Sequence, residues 1–353
     1  VKKGIALLIL FLGSSFLFAQ GKSEYIHDDD PRENKGVRIV FYNVENLFDT
    51  QNDPLTRDDE YTPDGTRNWS EFRFREKVKK LGQVILSVGG WEAPEIVGVC
   101  EIENRYVLER LINESALKKT KYEIVHQDSK DGRGIDVALL YRPDKFEVLH
   151  KEFIFLKFPY DTTRKSRDIL YVHGKAVDDI ELHLFVNHWP SRFGGQLESE
   201  PGRIFAAETV KKKCEEILAK DPLANIIIMG DFNDEPMDKS IRHHLGARKD
   251  TIGIKDTELF NMMYEKIGVA GTHKYQSHWG VLDQFIVSGA LIKEKNNAFI
   301  KRHSANIFKA AFLLETDEVN MGYKPYRTFV GFKYHGGYSD HLPVFIDVMK
   351  KAE

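Results

Sequence analysis

Residues Asn225–Asp234 read N-I-I-I-M-G-D-F-N-D, with Asp231 and Asn233 two positions apart just past an apolar run. At that spacing in extended backbone both side chains point the same way. A carboxylate and a carboxamide held so can polarise a water and bind an oxyanion together. The plainer reading is a strand-to-turn junction, where Gly, Asp and Asn recur for backbone reasons. The same kind of ending recurs along the chain, at Asn43, Glu101, His188, Asp283, and Asp340 with His341. Six strand termini of this type, in a chain with two cysteines, suggest that one edge of a sheet assembly gathers them. Oxygen ligands without thiolates suit Mg²⁺, Mn²⁺ or Ca²⁺ better than a closed zinc site.

The elements that must position these groups follow from apolar periodicity. Ile226–Met229 is a continuous apolar run that suits a strand buried on both faces, and Gly230 lets the backbone turn after it. Further strands are expected at Val37–Val44, Ile96–Cys100, Tyr122–His126, Ile135–Tyr141, Phe146–Phe155, Ile169–Val177, Glu181–Val186, Val281–Val287 and Leu342–Val348. Ser70 caps a helix whose apolar positions Phe74, Val78, Leu81, Ile85 and Val88 have helical spacing. Other helices are expected at Arg105–Leu117, Arg203–Lys220, Pro236–Leu245 and Asp256–Ile267. Asp49–Asn68 is long enough for a functional loop, and Gly331–Tyr338 is a second, Gly- and Tyr-rich one. Antiparallel strand runs mixed with helices predict an α+β fold, two β-sheets packed face to face under outer helices.

The first twenty residues place two lysines before an apolar run that small residues and Ala19-Gln20 close off, the pattern of a secretory signal peptide. Its apolar core, Ile5–Leu12, is shorter than a spanning helix needs, and no cysteine follows for lipid attachment. An exported protein, periplasmic or secreted, without stable membrane insertion, is the expectation. Residues 21–36 are polar and read as a disordered lead-in; 37–350 read as one domain. The formal charge of −3 becomes −5 without Lys2 and Lys3, which gives no global electrostatic argument for nucleic acid. Cys100 and Cys214 read as buried thiols rather than a disulfide.

Six motifs in order, N-V-E-N at Asn43, E-I-E-N at Glu101, N-H-W-P-S at His188, G-D-F-N-D at Asp231, L-D-Q-F-I-V-S at Asp283 and S-D-H-L-P-V at Asp340, resemble the endonuclease/exonuclease/phosphatase superfamily over about Val37–Val348. The resemblance implies a DNase I-like four-layer sandwich of two mixed sheets between helices. It implies Glu101 as principal metal ligand with Asn43 and Asp340 beside it, and Mg²⁺ as cofactor, with Mn²⁺ or Ca²⁺ as alternatives. His341, oriented by Asp283, would act on the water or on the scissile phosphate. Asp231 would be the candidate base, Asn233 a phosphate ligand, and His188 a donor to the charge of the pentacovalent transition state. The division of the base role between Asp231 and His341 stays open. Glu45 departs from the common pattern, which has Asp there, and is expected to support the metal or its waters from behind.

Arg133, between glycines, and Arg192, four residues after His188, are candidates for phosphate contact, with Arg164, Arg167 and Arg327 weaker ones; surface ion pairs are the competing reading. His243-His244 reads as solvated surface, and His273 and His278 as loop residues. The expected activity is metal-dependent hydrolysis of a phosphate-ester substrate by direct attack of water, in a protein expected to be monomeric. A nuclease-type phosphodiesterase acting on DNA or RNA is favoured, because Tyr61, Trp69, Trp189, Trp279 and Tyr338 in the site loops could stack on bases. The alternatives are a phosphomonoesterase of the inositol- or sugar-phosphate type, and a sphingomyelinase-like lipid phosphodiesterase. No exposed apolar hairpin is expected to support the last. An inactive binding module is disfavoured because Glu101, His188, Asp231 and His341 are all present.

Overall fold

The computed structural model describes residues 36–161 and 163–351; the expected signal peptide and nearly all of the expected lead-in lie outside them. In chain order the elements that frame the site begin with β1 (Val37–Leu47), α1 (Glu71–Gly89), β2 (Ile96–Ile102), α2 (Arg105–Glu114), β3 (Glu123–His126), β4 (Asp136–Tyr141), β5 (Phe146–Ile154) and β6 (Ile169–Ala176). They continue with β7 (Ile180–His188), α3 (Gln196–Lys220), β8 (Ile226–Asp231), β9 (Leu259–Asn261), β10 (Asp283–Ser288) and β11 (Val344–Lys350). One sheet runs β11-β1-β2-β4-β3, with two short strands added on β11; the other runs β5-β6-β7-β8-β10-β9. Both are mixed: β1–β2 and β7–β8 are parallel, and β8–β10 is antiparallel.

The apolar runs behave as double-sided strands. Ile39 and Phe41 of β1 meet Leu184, Ile227, Met229 and Phe285 of the other sheet in the central core. Their neighbours Val40 and Tyr42 face the opposite way, onto Phe74, Val78 and Leu81 of α1. In the second sheet Ile226 and Ile228 face Ala206, Val210 and Cys214 of α3. Period-two alternation with both faces covered gives continuous apolar sequence and a helix–sheet–sheet–helix sandwich. Ser70 caps α1 as expected, its side chain accepting from Arg73 N. Both cysteines are free and buried.

One expected helix is absent and another is reduced to a short π-helical segment. Residues 256–267 contain the edge strand β9, paired with β10 through Phe260 and Asn261, and one tight turn at Tyr264–Lys266. Short apolar clusters fit either period, and the open edge of β10 decides here. Residues 236–245 hold a single wide turn, Ser240–Leu245. Conversely, α3 begins at Gln196 and runs through Pro201, where a glycine-containing loop was expected up to Arg203.

Candidate active site

Register brings three strand ends together. His188 pairs with Asp231 across β7–β8, and Asp283 pairs with Asp231 across β8–β10. On the other sheet Asn43 pairs with Cys100 before the β1–β2 register shifts, and a bulge between Cys100 and Ile102 turns Glu101 out of β2. Bulges re-aim side chains at sheet rims. The backbone shows what that costs: Glu45 (φ 51°), Asn46 (φ 52°), Glu101 (φ 63°) and Asn233 (φ 51°) all adopt left-handed conformations. Such positions cost on the order of 1–3 kcal/mol each and cluster at functional sites.

The predicted residues meet across the seam between the sheets. Asn43 Nδ2 donates to Asp231 Oδ2 at 3.1 Å, and Asn43 Oδ1 accepts from Glu45 N at 3.0 Å. His188 Nε2 lies 3.8 Å from both Glu101 Oε1 and Asp231 Oδ2. His341 Nε2 lies 3.9 Å from Asp231 Oδ2, while its Nδ1 is 2.7 Å from Asp283 Oδ2. Asn233 N donates to Asp231 Oδ1 at 2.9 Å, and its amide donates to Trp189 O at 3.1 Å. Glu101 Oε2 accepts from Asn46 N at 3.0 Å. Asp340 gives Oδ2 to Arg327 at 2.8 Å, and Arg327 Nε donates to Glu45 at 3.3 Å.

Electrostatics separate the titratable groups. Burial, then the nearby Arg167 and Arg133 cations, hold His188 well below the ordinary histidine value, so the ring is neutral. Its Nδ1 is buried without a hydrogen-bond partner. Burial opposes a charge on His341, but Asp283, with Asp231 and Asp340 beyond it, holds that pKa well above the ordinary value. Burial pushes Asp231 up to about 7, with Asp283 and Glu101 adding and His341 subtracting. Asp340 stays low against its burial because Arg327, His341 and His273 surround it.

Lys77, Thr328 and Ser339 escaped the sequence reading as positioning groups, whereas Glu45, His273 and Arg167, which it named, take positioning roles. Lys77 of α1 is almost fully buried and donates to Thr328 Oγ1 at 2.5 Å and to Tyr338 O at 3.2 Å. Its charge opposes those of Glu45, Asp340 and Glu101. A lysine inside the stripe Phe74, Val78, Leu81 was its visible signal. Glu45 also accepts from Thr328 N at 2.7 Å, which ties it to the loop before Asp340. Ser339 Oγ donates to Asn43 O at 2.7 Å and accepts from His341 N at 3.1 Å. His273 joins the site through a bridge to His341, with ring centroids 4.7 Å apart. Arg167 Nη2 donates to Trp189 O at 2.6 Å and its Nη1 to Asp131 at 3.2 Å, so it braces the His188 loop.

Some expectations change. Arg192 donates to Asn233 O at 2.6 Å and to Asp238 at 2.8 Å, so it clamps two loops together. Arg133 has only a 3.7 Å ion pair with Asp131 and keeps a half-exposed side chain. Tyr61, Trp69 and Trp189 are buried in the core and offer no face to a base; only Trp279 and Tyr338 keep partly open rings. Apolar hairpin tips do occur: Tyr275 is exposed on the hairpin His273–Gly280, and Val319 and Met321 lie between the paired strands Leu314–Thr316 and Tyr323–Pro325. Among the described residues no helix is long and apolar enough to cross a membrane.

Two facing mixed sheets between helices, with an acid-, amide- and imidazole-lined seam at their strand ends, define a DNase I-like phosphoesterase scaffold. A sequence profile of the Endonuclease/Exonuclease/phosphatase family matches residues 38–350, and the chain belongs to that family. A family protein from Bacteroides thetaiotaomicron superposes with a TM-score of 0.56 at 18% identity, covering 91% of this chain and 100% of that one. A mannosyl-6-phosphatase from Bacteroides thetaiotaomicron gives 0.55 at 18%, covering 89% and 99%. The human Nocturnin catalytic domain with a bound sulfate anion gives 0.53 at 14%, covering 90% and 95%. At these identities the likeness is one of fold. No curated protein matches the chain significantly in sequence.

Proposed function

We propose that the chain is an exported, divalent-metal-dependent phosphoesterase in which water attacks phosphorus directly. Export rests on the signal-peptide pattern of the first twenty residues, and the observation that carries water attack is the pairing at Asp231, a buried carboxylate pushed up to about 7 with His188 and His341 beside it. Asp231 is then the base: its pKa suits proton abstraction near neutrality, whereas His341, held protonated by Asp283, cannot accept a proton. His341 instead offers an Nε2–H, and neutral His188 a second donor, to charge developing on the phosphate oxygens. Asn233 and Arg133 add neutral and cationic contacts at the rim.

The residues fit a hard divalent cation. Glu101 presents Oε1 after its other oxygen is taken by Asn46 N, and Asp340 retains Oδ1 after Arg327 takes Oδ2. Asn43 keeps one carbonyl lone pair, and among the described residues no cysteine joins a cluster of metal-ligating groups. These three residues would hold the ion, with Glu45 supporting through Arg327. When bound, the ion would supply Lewis-acid stabilisation of charge on the phosphate.

For the substrate, burial of Tyr61, Trp69 and Trp189 removes most of the base-stacking platform on which a nuclease reading rested. A small phosphate ester, such as a sugar phosphate, needs no such platform, and a mannosyl-6-phosphatase is among the proteins that share the fold. The test is turnover by purified protein with Mg²⁺ on DNA, RNA, bis-nitrophenyl phosphate, nitrophenyl phosphate and a sugar 6-phosphate. The expected preference is for the last two. Full activity in excess chelator would overturn the metal requirement, and a preference for either polymer would restore the nuclease reading.

A further inference from the structure

The wall beside His341 continues along one face of the hairpin His273–Gly280. In that hairpin His273 pairs with Gly280, Lys274 with Trp279, and Tyr275 with His278. Side chains two apart on a strand, or directly opposite across a hairpin, share a face. His273, Tyr275 and His278 therefore lie on one side, and the His273 ring sets that side against His341, with centroids 4.7 Å apart. The alternate pair turns away: Lys274 donates to Asp317 at 2.8 Å, and Trp279 packs against the core that α1 covers.

Glu235 reaches the same face from the loop that carries Asn233. Its Oε1 is 2.8 Å from His278 Nε2, and a Cβ added at Gly280 would meet that oxygen at 3.4 Å. The carboxylate thus stands at the glycine end of the rung whose other end, about 5 Å across the hairpin, touches His341. Glu235 N donates to Asp238 Oδ2 at 2.7 Å, and Arg192 donates to the same oxygen at 2.8 Å, so the clamp on Asn233 also fixes Glu235. The acid is the inner partner of the pair, its side chain 16% exposed against 68% for the imidazole. Among the described residues its Oε2 accepts no hydrogen bond. An ion pair with so exposed a member adds little to stability. A carboxylate oxygen only accepts: a neutral hydroxyl can donate to it, whereas a second phosphate is repelled. One step out along the strands, about 7 Å, the exposed Tyr275 ring adds a flat apolar flank.

We propose that Glu235 and His278 form the subsite for the alcohol half of the substrate, and that this alcohol is an uncharged polyol such as a hexose. Glu235 Oε2 accepts from a sugar hydroxyl, His278 holds the carboxylate in place, and Tyr275 flanks the ring. The inference rests on the phosphoesterase reading and narrows its substrate class to monophosphate esters of neutral polyols, against bisphosphates and polynucleotides.

The test is kcat/KM of the purified chain with Mg²⁺ on glucose 6-phosphate, glucose 1,6-bisphosphate and nitrophenyl phosphate, whose alcohol half has no free hydroxyl. A hydrogen bond to a charged group is worth about ten- to a hundredfold. In Glu235→Ala the ratio of glucose 6-phosphate to nitrophenyl phosphate should fall by about that factor, chiefly through KM. His278→Ala should lower the same ratio less. Glu235→Gln keeps an acceptor without the charge, so it should recover part of the ratio and raise the bisphosphate relative to glucose 6-phosphate. If the parent turns over nitrophenyl phosphate and neither ratio moves in the Glu235 variants, the polyol subsite is refuted and the phosphoesterase reading stands. If the parent turns over none of the three esters, that reading fails and the subsite falls with it.

Discussion

Replacing His188 with alanine tests the electrostatic reading most directly. The imidazole is 3% exposed, and its Nε2 stands 3.8 Å from Glu101 and Asp231, with no hydrogen bond that truncation would break. Arg167 holds the His188 carbonyl at 3.2 Å, so the loop stays in place without the ring. The loss therefore falls on catalysis rather than on folding. Removing one preorganised donor to a developing oxyanion costs about 2.7–4 kcal/mol, a factor on the order of a hundred to a thousand in turnover. Because burial and two neighbouring guanidinium groups keep the ring neutral, it cannot serve as a general acid near pH 7. The defect should then be the same for good leaving groups such as nitrophenolate and for poor alkoxides, with KM little changed. Steady-state kinetics on paired esters of both kinds would show this. Recovery of rate with the good leaving group would mean proton donation, and a raised KM with normal kcat would mean that His188 only binds or supports.

Three further substitutions probe the frame. Glu101→Gly should abolish turnover yet unfold at a temperature no lower than the parent, because glycine relieves a left-handed position (φ 63°) and removes one of several crowded acids; a marked fall in Tm would show that the bulge is not strained. Lys77→Met should cost about 1–3 kcal/mol in urea unfolding, since it removes the buried donor to Thr328 Oγ1 and Tyr338 O and leaves Arg327 alone to offset Glu45 and Asp340, and adding Asp340→Asn should recover part of that; an unchanged midpoint would sink the assignment. Glu103→Gln tests pH linkage: burial pushes the Glu103 carboxyl up to about 8, with Asp49 and Asp58 adding and the Asp49 N–H opposing. A folded value above the unfolded one gives a contribution present at low pH and lost as pH rises from the ordinary carboxylate range through 8. The glutamine variant should therefore show a flatter decline in Tm across that window, and an identical slope would refute the burial argument.

Much of this protein was legible without coordinates, for a physical reason. A strand buried on both faces must be apolar throughout, so Ile226–Met229 and Val97–Val99 announce themselves, and whatever polar residue ends such a run is conspicuous. That is why Asn43, Glu101, His188, Asp231, Asp283 and Asp340 could be picked out one by one. Local periodicity failed where an open sheet edge, not the segment itself, chose the conformation. Leu259–Asn261 is a strand because β10 offers it unpaired backbone groups, and nothing within 256–267 says so. Burial of Trp69 and Trp189 was also beyond reach, since a tryptophan in a loop reads the same whether it faces solvent or the core.

The sequence by itself determined the two sheets, most of the helices and the list of polar strand ends, because each depends on residue spacing within one segment. Tertiary structure alone decided which of those ends touch. The pairing of His341 with Asp283 joins residues 58 apart in sequence, that of Asn43 with Asp231 joins residues 188 apart, and both depend on inter-strand register and sheet packing. The charge states follow from the same cause. Asp231 is raised, His188 neutral and His341 protonated because of burial and neighbours supplied by other strands, and a pKa is set by what surrounds a group in space rather than by what precedes it in the chain.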